Sequence, residues 1–240
     1  MSEKKNVQAL RQAAIDYMRE MSQIKWTASE DIDLTVIKNT LFYKKGETYY
    51  GVIYNTNEGV DGETFASYID ENGIFRGPVA KKECPGNHCT STILITWRKL
   101  GDKNKANWSV DMMPQCGTGI LSVGKYEWRK EDKTTIEMVD RTPEQDLYED
   151  YALMQCGDAI LYCFGPTGHA RMIKDNVVVR NPDGTINPDE SYITSIEQTS
   201  SFDKNASVNT TWFVDHKYYY QRIREKKYVP ITIQLFQEEE

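Results

Sequence analysis

The sequence predicts an α+β domain with helices first and an antiparallel sheet second. Three observations carry that prediction. Apolar residues recur every three or four positions from Val7 to Met21, short β-rich runs separated by turn residues crowd positions 159–199, and one more β-rich run lies at 228–233.

The first element is helical. Val7, Leu10, Ala13, Ala14, Tyr17, Met18 and Met21 share one face of a helix ending near Ser22, and the simplest use of that stripe is core. Ser29, Glu30 and Asp31 are placed to cap a second short turn, and 43–54 reads as approach chain punctuated by Gly46 and Gly51. Residues 55–85 are rich in Asn, Gly, Asp and Glu and interrupted by Pro78 and Pro85, which predicts a long surface excursion. The segment after Cys89 fits two states. Its β-branched Thr90, Thr92, Ile93, Ile95 and Thr96 suit a strand, whereas Ile93, Leu94, Trp97 and Leu100 fit one helical face with Gly101 as a stop. Runs at 159–164, 169–173, 177–180 and 192–199 predict an antiparallel meander, 228–233 a last strand, and Glu238, Glu239 and Glu240 a solvated tail. With no repeat and no low-complexity linker, 1–240 reads as a single domain carrying an N-terminal helical extension (about 1–45) and a surface insertion (about 55–85).

Composition narrows the function classes. A 240-residue chain with 39% hydrophobic and 27% charged residues can bury a full core, and its net charge of −7 argues against nucleic acid or an anionic membrane as main partner. No stretch approaches the roughly 18 apolar residues of a membrane span. The Met1–Asn6 segment passes into an amphipathic pattern rather than a hydrophobic signal region, so the sequence as it stands reads as cytoplasmic.

Five cysteines, an odd number in a long chain, fit a reducing interior with at least one free thiol. Cys84 and Cys89, and Cys156 and Cys163, do not match zinc spacing and form no CxxC pair, so no metal is assigned. Two segments point to nucleophilic chemistry instead. Gly86-Asn87-His88-Cys89-Thr90-Ser91-Thr92 puts a thiol at the start of an apolar element, and Gly168-His169-Ala170-Arg171-Met172-Ile173 puts an imidazole at the start of another. The thiolate is the reactive form of cysteine, and an adjacent imidazole generates it at neutral pH. The plainer reading of Cys89 is a buried small hydrophobe. His88 neighbours Cys89 in the chain, where side chains diverge, so substrate contact suits it better than the role of base. His216 reads as a satisfied histidine of surface or core, and Asp158 as a turn residue.

These residues resemble the papain-like clan of bacterial cell-wall cysteine peptidases, the NlpC-type endopeptidases and CHAP amidases. The local pattern there is Asp-Cys-Ser before an apolar helix, a Gly-Asp turn before a strand, and His before an apolar strand. Here His88-Cys89-Thr90-Ser91, Gly157-Asp158 and Gly168-His169 stand in that order, with His88 in place of Asp. Gly51-Val52-Ile53-Tyr54 is similar to the Gly-x-Pro-Tyr segment upstream of the nucleophile, with Ile53 in place of Pro, and 192–199 is similar to the strand that supplies the third polar residue. The resemblance covers islands within 50–200. It implies a papain-like fold with the nucleophile helix packed on an antiparallel sheet, and a thiol protease or amidase that cleaves a peptide or peptidoglycan-like substrate without a cofactor. By that resemblance Cys89, His169 and Glu197 are catalytic, and Tyr54, His88 and Gln198 contact substrate. Strand alternation leaves either Glu197 or Gln198 facing His169, and Glu197 is the favoured member. A permuted acyltransferase relative is disfavoured because it places His before Cys. The alternative function is a non-catalytic binding or structural protein on the same fold.

Overall fold

A computed structural model describes residues 7–57 and 59–237. The Met1–Asn6 segment, read as leading into an amphipathic pattern, and the Glu238–Glu240 tail, read as solvated, lie outside the described residues. Chain order runs α1 (Val7–Gln23), β1 (Lys25–Ala28), β2 (Ile32–Asp33), β3 (Phe42–Tyr43), β4 (Thr48–Tyr50), α2 (Gly62–Ala66), β5 (Ile74–Phe75) and α3 (Cys89–Lys99). It continues with β6 (Ile120–Ser122), α4 (Thr135–Arg141), α5 (Glu144–Ala152), β7 (Ala159–Phe164), β8 (Thr167–Val177), β9 (Tyr192–Gln198), β10 (Trp212–Tyr219), α6 (Tyr220–Glu225) and β11 (Val229–Ile233).

The architecture is α+β. Six strands form one antiparallel sheet in the order β10-β9-β8-β7-β11-β6, so the last strand of the chain inserts between β7 and the earlier β6. The helix α3 packs on β8 and β9, and α1 lies against α3. The helical state wins after Cys89 because the face bearing Ile93, Leu94 and Trp97 is buried on the sheet, and the Trp97 indole N–H donates to the Gly157 carbonyl at 3.0 Å. Tertiary burial thus overrides the β-branched composition.

The stripe on α1 is core at Ala14, Tyr17, Met18 and Met21, and the structure adds Ile15 and Arg11. Arg11 is inside because both terminal nitrogens of its guanidinium are paired, although Nε has no hydrogen-bond partner among the described residues. Nη1 meets Asp158 Oδ1 at 2.7 Å and the Cys156 carbonyl at 3.0 Å, Nη2 meets the Phe236 carbonyl at 3.2 Å, and the Phe236 ring lies 4.6 Å away. Asp158 also accepts from Thr232 Oγ1 at 2.6 Å and from the Gln155 N–H at 2.8 Å. Burial nevertheless holds the Asp158 pKa above the ordinary carboxylate value. Asp158 thereby ties α1, the turn before β7 and β11 together.

Several expectations are corrected. The segment 55–85 is not a surface excursion throughout: Phe65 of α2 and Phe75 of β5 are fully buried and, with Tyr43 and Tyr49, pack around Trp26 at centroid distances of 5.1–6.0 Å. Each such aromatic pair contributes about 0.5–1.5 kcal/mol beyond the area it buries. Among the described residues, the predicted helical extension over 1–45 is helical only through α1; β1, β2 and β3 follow, with β1 joining β4 and β5 in a small sheet. Ser29–Asp31 caps no helix, and Asp31 Oδ1 instead accepts the Lys45 N–H at 2.7 Å. The run at 177–180 is not a separate strand but the end of β8 and the chain after it. Strand β10 has no counterpart among the predicted runs. Its register slips between Val214 and His216, with Asp215 at φ 62°, which breaks the alternation a strand reading needs.

Gly51 is required where the small sheet meets the large one. Its φ is +84°, and a Cβ there would lie 2.3 Å from Cδ1 of the buried Trp212 indole. One contiguous hydrophobic core includes residues from Ala14 to Phe236.

Candidate active site

The chain reaches Cys89 through a tight passage. Gly86 permits close approach to 53–55, since a Cβ there would lie 2.6 Å from the Ile53 carbonyl oxygen. The Asn87 side chain then clamps Val60, accepting its N–H at 2.7 Å and donating to its carbonyl at 2.8 Å. His88 has the extended backbone of an N-cap (φ −111°, ψ 170°), and Cys89 is the first residue of α3.

The cap decides which backbone donors remain open. The His88 N–H donates to Ser91 Oγ at 2.9 Å, and the Ser91 N–H donates to His88 Nδ1 at 3.5 Å. Of the early N–H groups that a helix leaves unpaired, those of Cys89 and Thr90 have no hydrogen-bond partner among the described residues. Together with the positive end of the helix dipole, they are placed to stabilise negative charge at or beside the sulfur.

His169 lies near the start of β8. Its Nε2 pairs with Glu197 Oε2 of the neighbouring β9, the carboxylate being 1% exposed and the ring 20% exposed. The other carboxylate oxygen, Oε1, accepts from Arg171 Nε at 2.9 Å and from the Tyr218 hydroxyl at 2.5 Å. Burial would push the Glu197 carboxyl up, but the Arg171 and His169 charges outweigh it and bring it down to about 2. The imidazole is likewise pulled down by burial and pulled up further by Cys89 and Glu197, ending at about 9.

The sulfur of Cys89 lies 3.6 Å from Thr90 Oγ1 and 3.8 Å from the Gly168 carbonyl. Burial opposes its ionisation. The charge and hydrogen bonding of His169, with a smaller contribution from His88, win and hold the thiol well below its ordinary value. Cys84 is pushed up by burial to about 12 and Cys156 to about 11, and burial also raises Cys116 and Cys163. None of the five cysteines is in a disulfide, and Cys89 alone has a lowered pKa.

The residues predicted from sequence separate into three groups. Cys89, His169 and Glu197 come together. Tyr54 adjoins them: it is 9% exposed, and its phenol is pushed up first by burial and then by the Cys89 charge. Gln198 takes a different place, which corrects its reading as a substrate contact. It is fully buried on the α3 side of β9, accepting from Thr92 Oγ1 at 3.0 Å and donating to the Val52 carbonyl at 2.6 Å, so neither end of its amide is open. His88 is 6% exposed and serves first as the cap, its ring stacked on Trp108 at 5.0 Å and 6°. His216 pairs with Asp203 at 3.0 Å rather than with the thiol.

Sequence reasoning missed Arg171, Tyr218 and Trp108. Arg171 was detectable in principle, because two positions beyond His169 on a strand is the same face. Tyr218 belongs to the run Tyr218-Tyr219-Tyr220, whose three identical side chains part ways in the structure: Tyr220 is buried, Tyr219 is 42% exposed, and Tyr218 holds the carboxylate. Trp108 reaches the site through a 3-10 turn at Ser109–Met112, where Ser109 packs so tightly that a Cβ on Gly168 would lie 2.0 Å from its hydroxyl. No local pattern announces that contact.

Among the described residues no three His, Cys, Asp or Glu side chains gather as metal ligands, and no helix is long and apolar enough to cross a membrane. Comparison with family models, with curated proteins and with solved structures gave no match.

Proposed function

We propose that this protein is a cysteine hydrolase with a papain-like arrangement, cleaving a peptide or amide bond through a thioester acyl-enzyme. The observation that carries this reading is a thiol on the first turn of α3 whose ionisation is favoured by an imidazole held by a buried carboxylate. The order Cys89, His169, Glu197 and the packing of α3 on an antiparallel sheet support the papain-like assignment.

In the proposed mechanism, His169 takes the Cys89 proton, and the thiolate attacks the substrate carbonyl carbon. The oxyanion forms beside the Cys89 and Thr90 N–H groups. Collapse breaks the C–N bond, His169 protonates the departing amine, and the acyl group remains on sulfur as a thioester. Water, deprotonated by His169, then attacks the thioester and releases the acid and the thiol. Glu197 keeps the ring oriented and stabilises the imidazolium. The natural substrate class is a peptide, with peptidoglycan stem peptides the narrower candidate on resemblance.

A binding module on the same scaffold is the second reading, favoured by the 6% exposure of Cys89. A panel of γ-glutamyl, peptidoglycan-derived and unmodified peptides separates the two. Hydrolysis by the wild type should fall by at least about a hundredfold in Cys89→Ala and in His169→Ala. Hydrolysis that survives Cys89→Ala would refute the mechanism. A wild-type thiol that alkylates at pH 6 no faster than a free peptide thiol would leave the binding reading.

A further inference from the structure

The carboxylate that holds His169 is itself held. Glu197 divides its two oxygens: Oε2 faces the imidazole, while Oε1 takes the Arg171 Nε at 2.9 Å and the Tyr218 hydroxyl at 2.5 Å. Arg171 is fixed in turn. Its side chain is 16% exposed, and Cζ lies 4.3 Å from the Tyr218 ring centroid and 4.7 Å from that of Tyr228. Two aromatic rings at these distances hold a guanidinium both by packing and by cation–π attraction.

A buried ion pair is weak evidence for stability, since apolar residues of similar size often serve as well. Its geometry matters more here. A carboxylate with only one anchor could rotate and offer either oxygen to the ring; with Oε1 occupied by two donors, Oε2 is the oxygen left for His169. Resting on the proposed hydrolase site, we infer that Arg171 is a positioning residue of the catalytic centre, locking Glu197 in the ionised and oriented state that keeps the imidazolium next to Cys89. Tyr218 shares the task as second donor, and Tyr228 acts through Arg171.

The groups facing Glu197 come from each element around it. His169 and Arg171 lie on β8, Tyr218 lies on β10, Tyr228 precedes β11 beyond the guanidinium, and Cys89 of α3 lies beyond the ring. Without the guanidinium, Glu197 has only the imidazole as a cationic neighbour and gains proton affinity. Once protonated or rotated it no longer holds the ring beside Cys89, so the imidazolium stabilises the thiolate less and the thiolate is lost at a higher pH. Removing Arg171 therefore moves the acid limb of Cys89 reactivity upward.

The test is the pH profile of iodoacetamide alkylation at Cys89, followed by peptide mapping, which requires no substrate. Arg171→Met should shift the acid limb up by about one pH unit, seen as roughly tenfold slower alkylation along that limb. Arg171→Lys, which keeps the charge without the planar fork, should recover part of the shift. Glu197→Gln should shift the limb at least as far. Should Arg171→Met not fold, Tyr218→Phe carries the same test through the same oxygen. A purely structural Arg171 would lower the melting temperature and leave the limb in place, which overturns the inference. If Glu197→Gln leaves the limb unmoved, both the inference and the triad fall. If Glu197→Gln shifts it and neither Arg171→Met nor Tyr218→Phe does, only the inference falls.

Discussion

Arg11→Met would test how strongly the first helix is bolted to the sheet that carries the site. The substitution removes four contacts at once: the ion pair to Asp158 at 2.7 Å, two carbonyl hydrogen bonds at 3.0 and 3.2 Å, and the guanidinium over Phe236 at 4.6 Å. Methionine refills much of the volume, so the main cost is the Asp158 carboxylate, 1% exposed and left with Thr232 and the Gln155 N–H as partners. Breaking one side of a buried pair costs about 3–5 kcal/mol. For a chain of this size each kcal/mol lowers the melting temperature by about 2–4 °C, which gives a drop of about 6–20 °C. The pH dependence follows from the sign of the shift. Burial already raises the folded-state pKa of Asp158 above its unfolded value, and removal of Arg11 raises it further. The folded variant then binds a proton more readily than the unfolded chain, so its deficit is largest at neutral pH and shrinks as pH falls through the raised folded-state value. Calorimetric melting of wild type and variant from pH 8 down to pH 5 measures this. A deficit below about 2 °C at pH 7, or one that grows on acidification, would refute the reasoning.

Other outcomes follow from the same contacts. Gly51→Ala should destabilise by about 2–4 kcal/mol, because it adds a left-handed backbone penalty to a clash with a packed indole, and a melting temperature unchanged within about 2 °C would contradict that close approach. His88→Asn should keep the cap of α3 and the wild-type melting temperature, while His88→Ala should cost about 1 kcal/mol. Both should slow alkylation of Cys89 at acid pH, since His88 helps hold the thiol's pKa down; equal thermal losses in the two variants would show that the ring does more than cap.

Local sequence carried the periodic elements well. The stripe on α1 depends on residue spacing, and the runs of β7 and β9 on β-rich composition between turn residues, and both signals are local to the chain. The small aromatic sheet around Trp26 was hidden because its strands are two to four residues long and sit among Gly, Asn and Asp, so its burial depends on partners distant in sequence. The same holds for β10, whose bulge at Asp215 cancels the period.

The candidate site divides along the same line. Residue type and position pointed to Cys89 and His169, a thiol and an imidazole at the starts of apolar runs, and the resemblance of 192–199 to the strand that supplies the third polar residue pointed to Glu197. Sequence favoured Glu197 over Gln198 but did not fix which of the two adjoining strand residues faces His169. The sheet chose. It turns Glu197 toward His169 and Arg171 and turns Gln198 toward Thr92 of α3. Nor could sequence foresee that Arg171 and Tyr218 converge on one carboxylate while the Tyr228 ring lies against the guanidinium. They come from β8, β10 and the turn before β11, and only strand pairing brings them together. Composition and periodicity determined the periodic elements and the chemistry the side chains offer; tertiary pairing determined the rest of the core and who faces whom, because burial, hydrogen bonds and ion pairs depend on distances that chain spacing does not encode.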